Sequence, residues 1–309
     1  MNQLSDQITT GAIARAQRIT LYGPHGGGKT TLVSQLPEAI ILDPEEGSLH
    51  LAISRFVATD YGTLCRVLDE LVRLPYQTVV LDTIDRVELF LRNEVCREHH
   101  IAGMEGMAYG KAWQFLAEKF AEFITRYLDP LIAAGIHVVI VGHSNIKRIQ
   151  YPGLDGFDRW ELRLHPGCAN RLKEWSDAVL FLNYKTRVIE NQGKPKGLGG
   201  KQRVIYTTHD ASYDAKTRIE VPEELPCTLE AIEPLLCGWK RPPIVSVQQQ
   251  FAEALADLDP KQVIAFLIDR KQIRDDQQIS DVGTDYAREA LRRLPEFKKT
   301  ITEFDFLAM

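Results

Sequence analysis

The most informative stretch of the sequence is Gly23-Pro-His-Gly-Gly-Gly-Lys-Thr-Thr31. It fits the pattern G-x-x-x-x-G-K-[ST], follows an apolar run at 18–22 and precedes a predicted helix at 29–36. In such a loop, glycines let backbone N–H groups turn toward phosphate oxygens. A lysine then reaches the β- and γ-phosphates, and the next hydroxyl is offered to Mg²⁺. A ligand-free glycine-rich turn is the alternative, but strand, spacing, lysine, hydroxyl and helix together predict a phosphate site.

The predicted nucleotide contacts follow directly from this stretch. They are Gly23, Pro24, His25, Gly26, Gly27, Gly28, Lys29, Thr30 and Thr31, with ATP as the expected nucleotide and Thr30 as a magnesium ligand.

Around this loop the chain alternates short apolar runs with amphipathic segments. The predicted strands are 18–22, 39–42, 78–81 and 137–141, and the predicted helices are 29–36, 61–73 and 111–134. This alternation is typical of a mainly parallel sheet that helices cover on both faces. We therefore expect an α/β core over residues 1–240.

The pattern changes after the fourth predicted strand. Residues 145–167 are rich in Gly, Pro, Arg and Asp and predict a long loop, and 177–182 and 203–207 predict two strands of a hairpin. Apolar spacing within 251–258, 263–268 and 286–294 predicts three short helices. These would form a small C-terminal helical unit over residues 241–309.

Composition places the chain among ordinary globular proteins. Of 309 residues, 44% are hydrophobic and 26% charged, which argues against disorder, collagen and coiled-coil rods. The longest apolar stretch, 131–142, is too short to span a bilayer, and the first residues lack a signal-peptide pattern. The five cysteines are scattered without zinc spacing. A cytoplasmic protein without membrane contact is the expectation.

Charge is distributed unevenly along the chain. Residues 145–203 carry twelve Lys and Arg against six Asp and Glu, a net +6, which leaves −11 for the rest of a chain of net charge −5. A local excess of cations indicates either a surface that faces a polyanion or a solvated face.

Further polar residues follow the predicted strands. Asp82 ends the strand at 78–81, where a Walker B carboxylate would hold the magnesium shell. Glu45, with Glu46 beside it, follows the strand at 39–42 and could polarise the attacking water, although such acids also simply terminate strands. His143 follows the fourth strand and is either a sensor of the γ-phosphate or a structural histidine. No N-K-x-D guanine motif is present, which weakens a GTPase interpretation.

Taken in order, GPHGGGKTT (23–31), ILDPEEGS (41–48), VVLDTID (79–85), VIVGHSN (139–145) and RVIYTTHDASYDAKTR (203–218) resemble the RecA-like recombination ATPases. The resemblance is closer to their compact phage and prophage members, some of which act in single-strand annealing. It implies a RecA-like P-loop core, Glu45 as the water-activating residue and His143 as the γ-phosphate sensor. It also implies that Lys216 and Arg218 reach a neighbouring subunit's γ-phosphate, with solvated strand-end charges as the alternative.

The resemblance further implies two DNA-binding loops. The first would be residues 97–111, and the second residues 145–165, directly after His143. The second loop combines cations with aromatic residues, which is the chemistry of sequence-tolerant single-strand binding. A surface loop whose aromatics pack on the core is the alternative. The candidate DNA-binding residues are Lys147, Arg148, Tyr151, Phe157, Arg159, Trp160 and Arg163.

The resulting functional hypothesis is a Mg²⁺-dependent, DNA-stimulated ATPase that binds single-stranded DNA as a homo-oligomer and promotes annealing or strand exchange. A single-strand-binding protein is a further expected partner. Only about sixteen residues precede the predicted first strand, so rings and filaments both stay open. Two other classes remain: a small-molecule phosphotransferase that uses 145–165 as a substrate lid, and a regulatory module switched by nucleotide binding.

Overall fold

The computed structural model describes residues 9–11, 13–150, 156–191, 194–242 and 247–304, and within strands it leaves the side chains of 186–191 and 194–199 undescribed. The chain divides into two compact units, Met1–Pro242 and Pro243–Met309. The first unit contains the nucleotide-binding motif.

The first unit is built on one sheet. Its strands are β1 Arg18–Gly23, β2 Ala39–Leu42, β3 Ser54–Phe56, β4 Thr78–Asp82, β5 His137–Ile149, β6 Phe157–Leu162, β7 Ala178–Asn191, β8 Lys194–Tyr206, β9 Lys216–Thr217 and β10 Glu224–Pro226. Their order is β10-β8-β7-β1-β5-β4-β2-β3, with β6 paired to β5 and β9 to β7. Every pairing from β7 to β3 is parallel, whereas β6, β8, β9 and β10 pair antiparallel. The predicted RecA-like α/β fold with a mainly parallel sheet is confirmed.

Helices connect these strands. They are α1 Lys29–Val33, α2 Tyr61–Leu71, α3 Ile84–Glu98, α4 Lys111–Phe123, α5 Asp129–Ala133, α6 Pro166–Trp175 and α7 Leu229–Ile232. A π-helical turn, Ile124–Leu128, joins α4 to α5, so the predicted helix at 111–134 is one interrupted helical segment. In the part of the chain that the structure describes, no helix is long and apolar enough to cross a membrane.

Both faces of the sheet are buried. In β4, Val79 and Leu81 belong to one apolar cluster and Val80 to the other, and β5 divides in the same way. Because successive strand residues point to opposite faces, a strand buried on both sides is a continuous apolar run. These apolar runs therefore hold the carboxyl ends of β1, β4 and β5 at one edge of the sheet.

Two predictions for the first unit need correction. The segment 145–167 is not a loop: β5 continues to Ile149 and pairs with β6 in an antiparallel hairpin. Some of the Gly and Pro residues that suggested a loop come between the two strands in sequence, whereas Pro166 and Gly167 begin α6. Cross-strand pairing orders the residues of β5 and β6. The short edge strand β3 was missed, because three residues carry too little pattern.

The second unit is helical. Its described residues form α8 Val247–Ala254, α9 Pro260–Asp269, α10 Thr284–Arg292 and α11 Leu294–Thr302. Phe251, Phe266 and Ile301 contribute to its own apolar cluster. The prediction of three helices was wrong in number for the described residues 247–304, because a further helix begins at Leu294, with Pro295 in its first turn.

Candidate nucleotide site

The glycine-rich loop joins the end of β1 to the start of α1. Gly26 and Gly28 have φ of +73° and +87°, a conformation that side-chain-bearing residues rarely adopt. A Cβ added to Gly28 would also lie 2.0 Å from Nη1 of Arg203. Two of the glycines in the motif are thus required by backbone conformation, as its interpretation as a phosphate loop predicts.

Lys29 is held against this loop. Its Nζ donates hydrogen bonds to the carbonyl oxygens of Gly23 and Pro24, each at 2.9 Å, and the side chain is buried. Burial lowers the pKa of Lys29, while the nearby carboxylates of Asp82 and Asp85 oppose that shift. A buried ammonium at this place gains most from a ligand that brings negative charge.

Thr30 and Asp82 are in direct contact. The Thr30 hydroxyl donates to Oδ2 of Asp82 at 2.6 Å. Burial raises the pKa of Asp82 above its usual range, and the hydrogen bond from Thr30 opposes this. The half-buried Thr30 hydroxyl and the buried Asp82 carboxylate supply, side by side, the oxygen donors that Mg²⁺ prefers.

Glu45 projects from a turn that Asp43 holds. Oδ1 of Asp43 accepts from the N–H groups of Glu45 and Gly47, and Oδ2 accepts from the N–H and hydroxyl of Ser48. Oε1 of Glu45 accepts a hydrogen bond from the Thr83 hydroxyl at 2.9 Å. The turn therefore points an exposed carboxylate toward the Walker B end of β4.

These side chains line one cleft. Its volume is about 350 Å³, and Lys29, Thr30, Glu45, Asp82 and His143 all contribute to its wall. One positive group, loop N–H groups and paired oxygen donors fit a magnesium–triphosphate group. Of the predicted catalytic residues, Lys29, Glu45 and His143 are thus brought together, whereas Lys216 and Arg218 do not line this cleft.

His143 belongs to a second cluster at the same edge. Oδ2 of Asp85 accepts from the His143 backbone N–H at 2.9 Å, and Oδ1 accepts from Nε of Arg163 at 2.8 Å. The ring of His143 stacks on that of His25, with centroids 3.7 Å apart. Arg163 also lies 3.3 Å from Nε2 of His25 and 3.4 Å from Nδ1 of His143.

Burial and neighbouring groups act in opposite directions on the pKa of Asp85 and in the same direction on the pKa of His25. Burial raises the pKa of Asp85, but the hydrogen bonds from His143 and Arg163 outweigh it and hold that pKa below its usual range. Burial lowers the pKa of His25, and the nearby His143 and Arg163 lower it further. We therefore expect Asp85 to be ionised and His25 neutral at physiological pH.

The candidate DNA-binding residues lie on or beside the β5–β6 hairpin, but in different surroundings. Arg148 is 63% exposed and 3.5 Å from Asp158, and Lys147 is half-buried. Phe157 begins β6 opposite Ile149, and Trp160 packs near Phe181 with ring centroids 6.0 Å apart. Tyr151 lies outside the described residues. Among the described candidates, Arg148 and Arg163 are exposed to solvent, with 63% and 45% of their side-chain surface accessible.

Arg159 is buried inside an ionic network. It is 3.2 Å from Glu161 and 3.4 Å from Asp214, and Lys173 lies within 3 Å of the same two carboxylates. With 8% of its surface exposed, Arg159 ties the hairpin to the segment at 209–214. Arg159 is therefore not part of the solvent-exposed surface of the hairpin.

Lys216 and Arg218 lie away from the chain's own cleft. Lys216 pairs with Val179, at the opposite end of β7 from the residues beside the glycine-rich loop. Arg218 is 3.0 Å from Oδ1 of Asp177, and its side chain is 60% exposed. The structure thus does not bring these two cations to the nucleotide site of the same chain.

Several residues at the site were not predicted from the sequence. Asp43 and Asp85 lie within the quoted motifs, and their positions after strands β2 and β4 were a usable signal. Tyr184 and Arg203 contact the carbonyl oxygens of Gly26 and Gly27. No sequence signal could identify these two, because their approach depends on the register of β7 against β8.

Comparison with known proteins agrees with the fold. A sequence profile described as an AAA domain matches residues 15–219, more than half of the chain. Among solved structures, the crystal structure of the RadB recombinase matches with a TM-score of 0.36 and 16% identity, over 72% of this chain and 91% of that chain. This likeness is too low to bear on activity. No curated protein matches the chain.

The resemblance to RecA-like P-loop ATPases is confirmed at the level of family and fold, and the phage type stays a prediction. The matched region contains the glycine-rich loop, the Walker B strand and the hairpin after His143. With a P-loop on a mainly parallel sheet and the profile match over residues 15–219, the chain belongs to the AAA domain family.

Proposed function

We propose that this protein is a Mg²⁺-dependent recombination ATPase of the phage type, which binds single-stranded DNA as a homo-oligomer in the cytoplasm and promotes annealing or strand exchange. The observation that carries the proposal is the placement of the β5–β6 hairpin. The hairpin leaves the nucleotide site directly after His143 and returns to it at Arg163, which contacts Asp85 and His25.

Hydrolysis would use residues that share the cleft. The loop N–H groups and Lys29 bind the triphosphate, Thr30 contributes its hydroxyl to the metal, and Asp82 holds the metal's shell. Bound Mg²⁺ supplies neutralisation of the phosphate charge. Glu45 accepts a hydrogen bond from Thr83 and keeps a further carboxylate oxygen with which to orient water.

The DNA surface would lie on the solvent-facing part of the hairpin and on the segment before α4. Arg148 supplies an exposed cation, and Ile146 beside it is 56% exposed. In the segment 103–110, Tyr109 is 96% exposed and adopts a φ of +58°. A cation neutralises phosphate and an aromatic ring stacks on a base without reading its sequence.

A neighbouring copy of the chain would complete each nucleotide site. Lys216 and Arg218 lie outside their own cleft, so their proposed role is toward a neighbouring copy, where a cation stabilises transition-state charge. Hydrolysis would then depend on protein concentration. A single-strand-binding protein stays a predicted partner.

The first test measures steady-state ATP hydrolysis with Mg²⁺, with and without single-stranded DNA, over a range of protein concentrations. We expect stimulation by DNA that rises more than linearly with protein. A hydrolysis rate that does not change with DNA and is strictly proportional to protein concentration would favour the small-molecule phosphotransferase. Negligible hydrolysis would favour the nucleotide switch.

Glu45→Gln provides the matched variant. The glutamine keeps an oxygen for the Thr83 hydroxyl but cannot act as a base, so ATP binding should persist while hydrolysis falls about 100-fold or more. Glu46→Gln is the control and should hydrolyse ATP at close to the normal rate. Unchanged hydrolysis in Glu45→Gln would remove Glu45 from the mechanism.

A further inference from the structure

The candidate catalytic groups lie on one side of the glycine-rich loop only. Glu45, Asp82 and His143 lie on the side of β4 and β5, where the γ-phosphate is expected. On its other side, β1 pairs with β7. A triphosphate that follows the glycine-rich loop with its γ-phosphate on the β4 and β5 side would place the nucleoside on the side of β7 and β8.

Two flat side chains contact the glycine-rich loop from that side, just outside the residues that line the cleft. Tyr184 and Arg203 are directly opposite each other in the β7–β8 ladder. The Tyr184 hydroxyl donates to the carbonyl oxygen of Gly26 at 3.1 Å, and Nη1 of Arg203 donates to that of Gly27 at 3.4 Å. Both side chains therefore touch the outer, carbonyl-bearing side of the phosphate loop.

Their surroundings leave both groups accessible. Tyr184 is 37% exposed, and Arg203 is exposed although it crosses over Gly28. Within the described side chains, Arg203 forms no ion pair with a carboxylate. A guanidinium that lies on loop carbonyls without an acidic partner is suited to a ligand that carries negative charge and a flat ring.

We propose that Tyr184 and Arg203 form the platform that binds the purine base of the nucleoside triphosphate. This inference rests on the proposed function only in taking the phosphate loop as a nucleotide site. An aromatic ring and a guanidinium plane both stack on a base, and stacking is stronger for the larger purine ring. The polar atoms of both side chains already contact the loop. The platform therefore distinguishes bases by the size of the stacked ring and not by hydrogen bonds to the edge of the base.

The test separates base binding from phosphate binding. Equilibrium binding of Mg²⁺–ATP and of Mg²⁺–tripolyphosphate is measured by calorimetry, without DNA, for the normal protein and for Tyr184→Ala with Arg203→Ala. The platform predicts that ATP affinity falls about tenfold while tripolyphosphate affinity stays within twofold. ATP and GTP should bind similarly, and CTP several-fold more weakly, in the normal protein only.

Tyr184→Phe is the matched control. It loses the hydroxyl bond to Gly26 but keeps the ring, so the platform predicts near-normal ATP affinity. Equal losses of ATP and tripolyphosphate binding would show that the pair only braces the loop, and unchanged ATP binding would show no contact with the base. Either result overturns the proposal. Neither depends on hydrolysis or DNA, so a failure here is distinguishable from a failure of the proposed function.

Discussion

Arg148 and Arg163 occur in one cationic segment of the sequence, but the structure gives them different roles. Arg163 is tied to the buried carboxylate of Asp85, whereas Arg148 faces an exposed Asp158. We therefore expect Arg163→Ala to lower both stability and ATP hydrolysis. Arg148→Ala should leave stability and hydrolysis in the absence of DNA unchanged, and it should weaken binding to single-stranded DNA.

The magnitude follows from the two environments. A hydrogen bond to a charged group contributes about 1.5–3 kcal/mol when both partners are buried. Since the Arg163 side chain is 45% exposed and Asp85 8% exposed, solvent screening reduces the expected loss to roughly 1 kcal/mol. For a unit of this size, that corresponds to a fall in Tm of about 2–4 °C. The Arg148–Asp158 pair, with both partners more than 60% exposed, should contribute close to zero.

The assay is thermal unfolding followed by circular dichroism at several pH values. The carboxyl of Asp85 has a lowered pKa, so its contribution is present above the pKa of the unfolded chain and is lost as pH falls through the folded value. The difference in Tm between Arg163→Ala and the normal protein should therefore shrink on strong acidification. Equal Tm values at neutral pH, or the same loss in Arg148→Ala, would refute the reasoning.

Two other substitutions test the contributions of buried polar groups to stability. In Asp82→Asn the apo protein should have a higher Tm at pH 7, because burial raises the pKa of Asp82 above that of the unfolded chain and disfavours the ionised form. The gain should grow as pH rises from the unfolded pKa through the folded pKa and then level off, and magnesium-dependent ATP hydrolysis should be lost. A Tm that does not rise in thermal unfolding would contradict this. In Tyr22→Phe the free energy of unfolding should fall by about 1–3 kcal/mol, because the buried hydroxyl donates to the carbonyl oxygen of Asp214 and accepts from its N–H. Urea unfolding measures it, and a change below about 0.5 kcal/mol would show that water replaces both bonds.

Much of the nucleotide site could be predicted from the sequence because its residues follow strands. Lys29 comes directly after the glycines of the loop that follows β1, and Asp82 and His143 come at or just after the ends of apolar runs. In a parallel sheet the carboxyl ends of strands meet at one edge, so position along the chain predicts position in space. The order of the motifs was therefore sufficient to bring Lys29, Glu45, Asp82 and His143 into one cleft.

The surroundings of the candidate DNA-binding residues could not be predicted from chain position in the same way. The sequence presents Arg148, Arg159 and Arg163 as equivalent cations within one segment. Antiparallel pairing of β5 with β6 exposes Arg148, buries Arg159 against Asp214 and brings Arg163 to Asp85. Charge and spacing cannot predict these differences, because each partner is distant in the chain or lies across the hairpin.

Local sequence patterns were thus sufficient to predict the fold class, the glycine-rich loop and the sheet edge at which the candidate site residues meet, since periodic burial and glycine conformation are local properties of the chain. Tertiary structure decided what each remaining charged or aromatic side chain contacts. Tyr184 and Arg203 illustrate the reason. Only the register of β7 against β8, combined with the parallel pairing of β7 to β1, carries them onto the loop at 26–28. Such long-range pairing depends on how the whole sheet packs, and no short stretch of sequence encodes it.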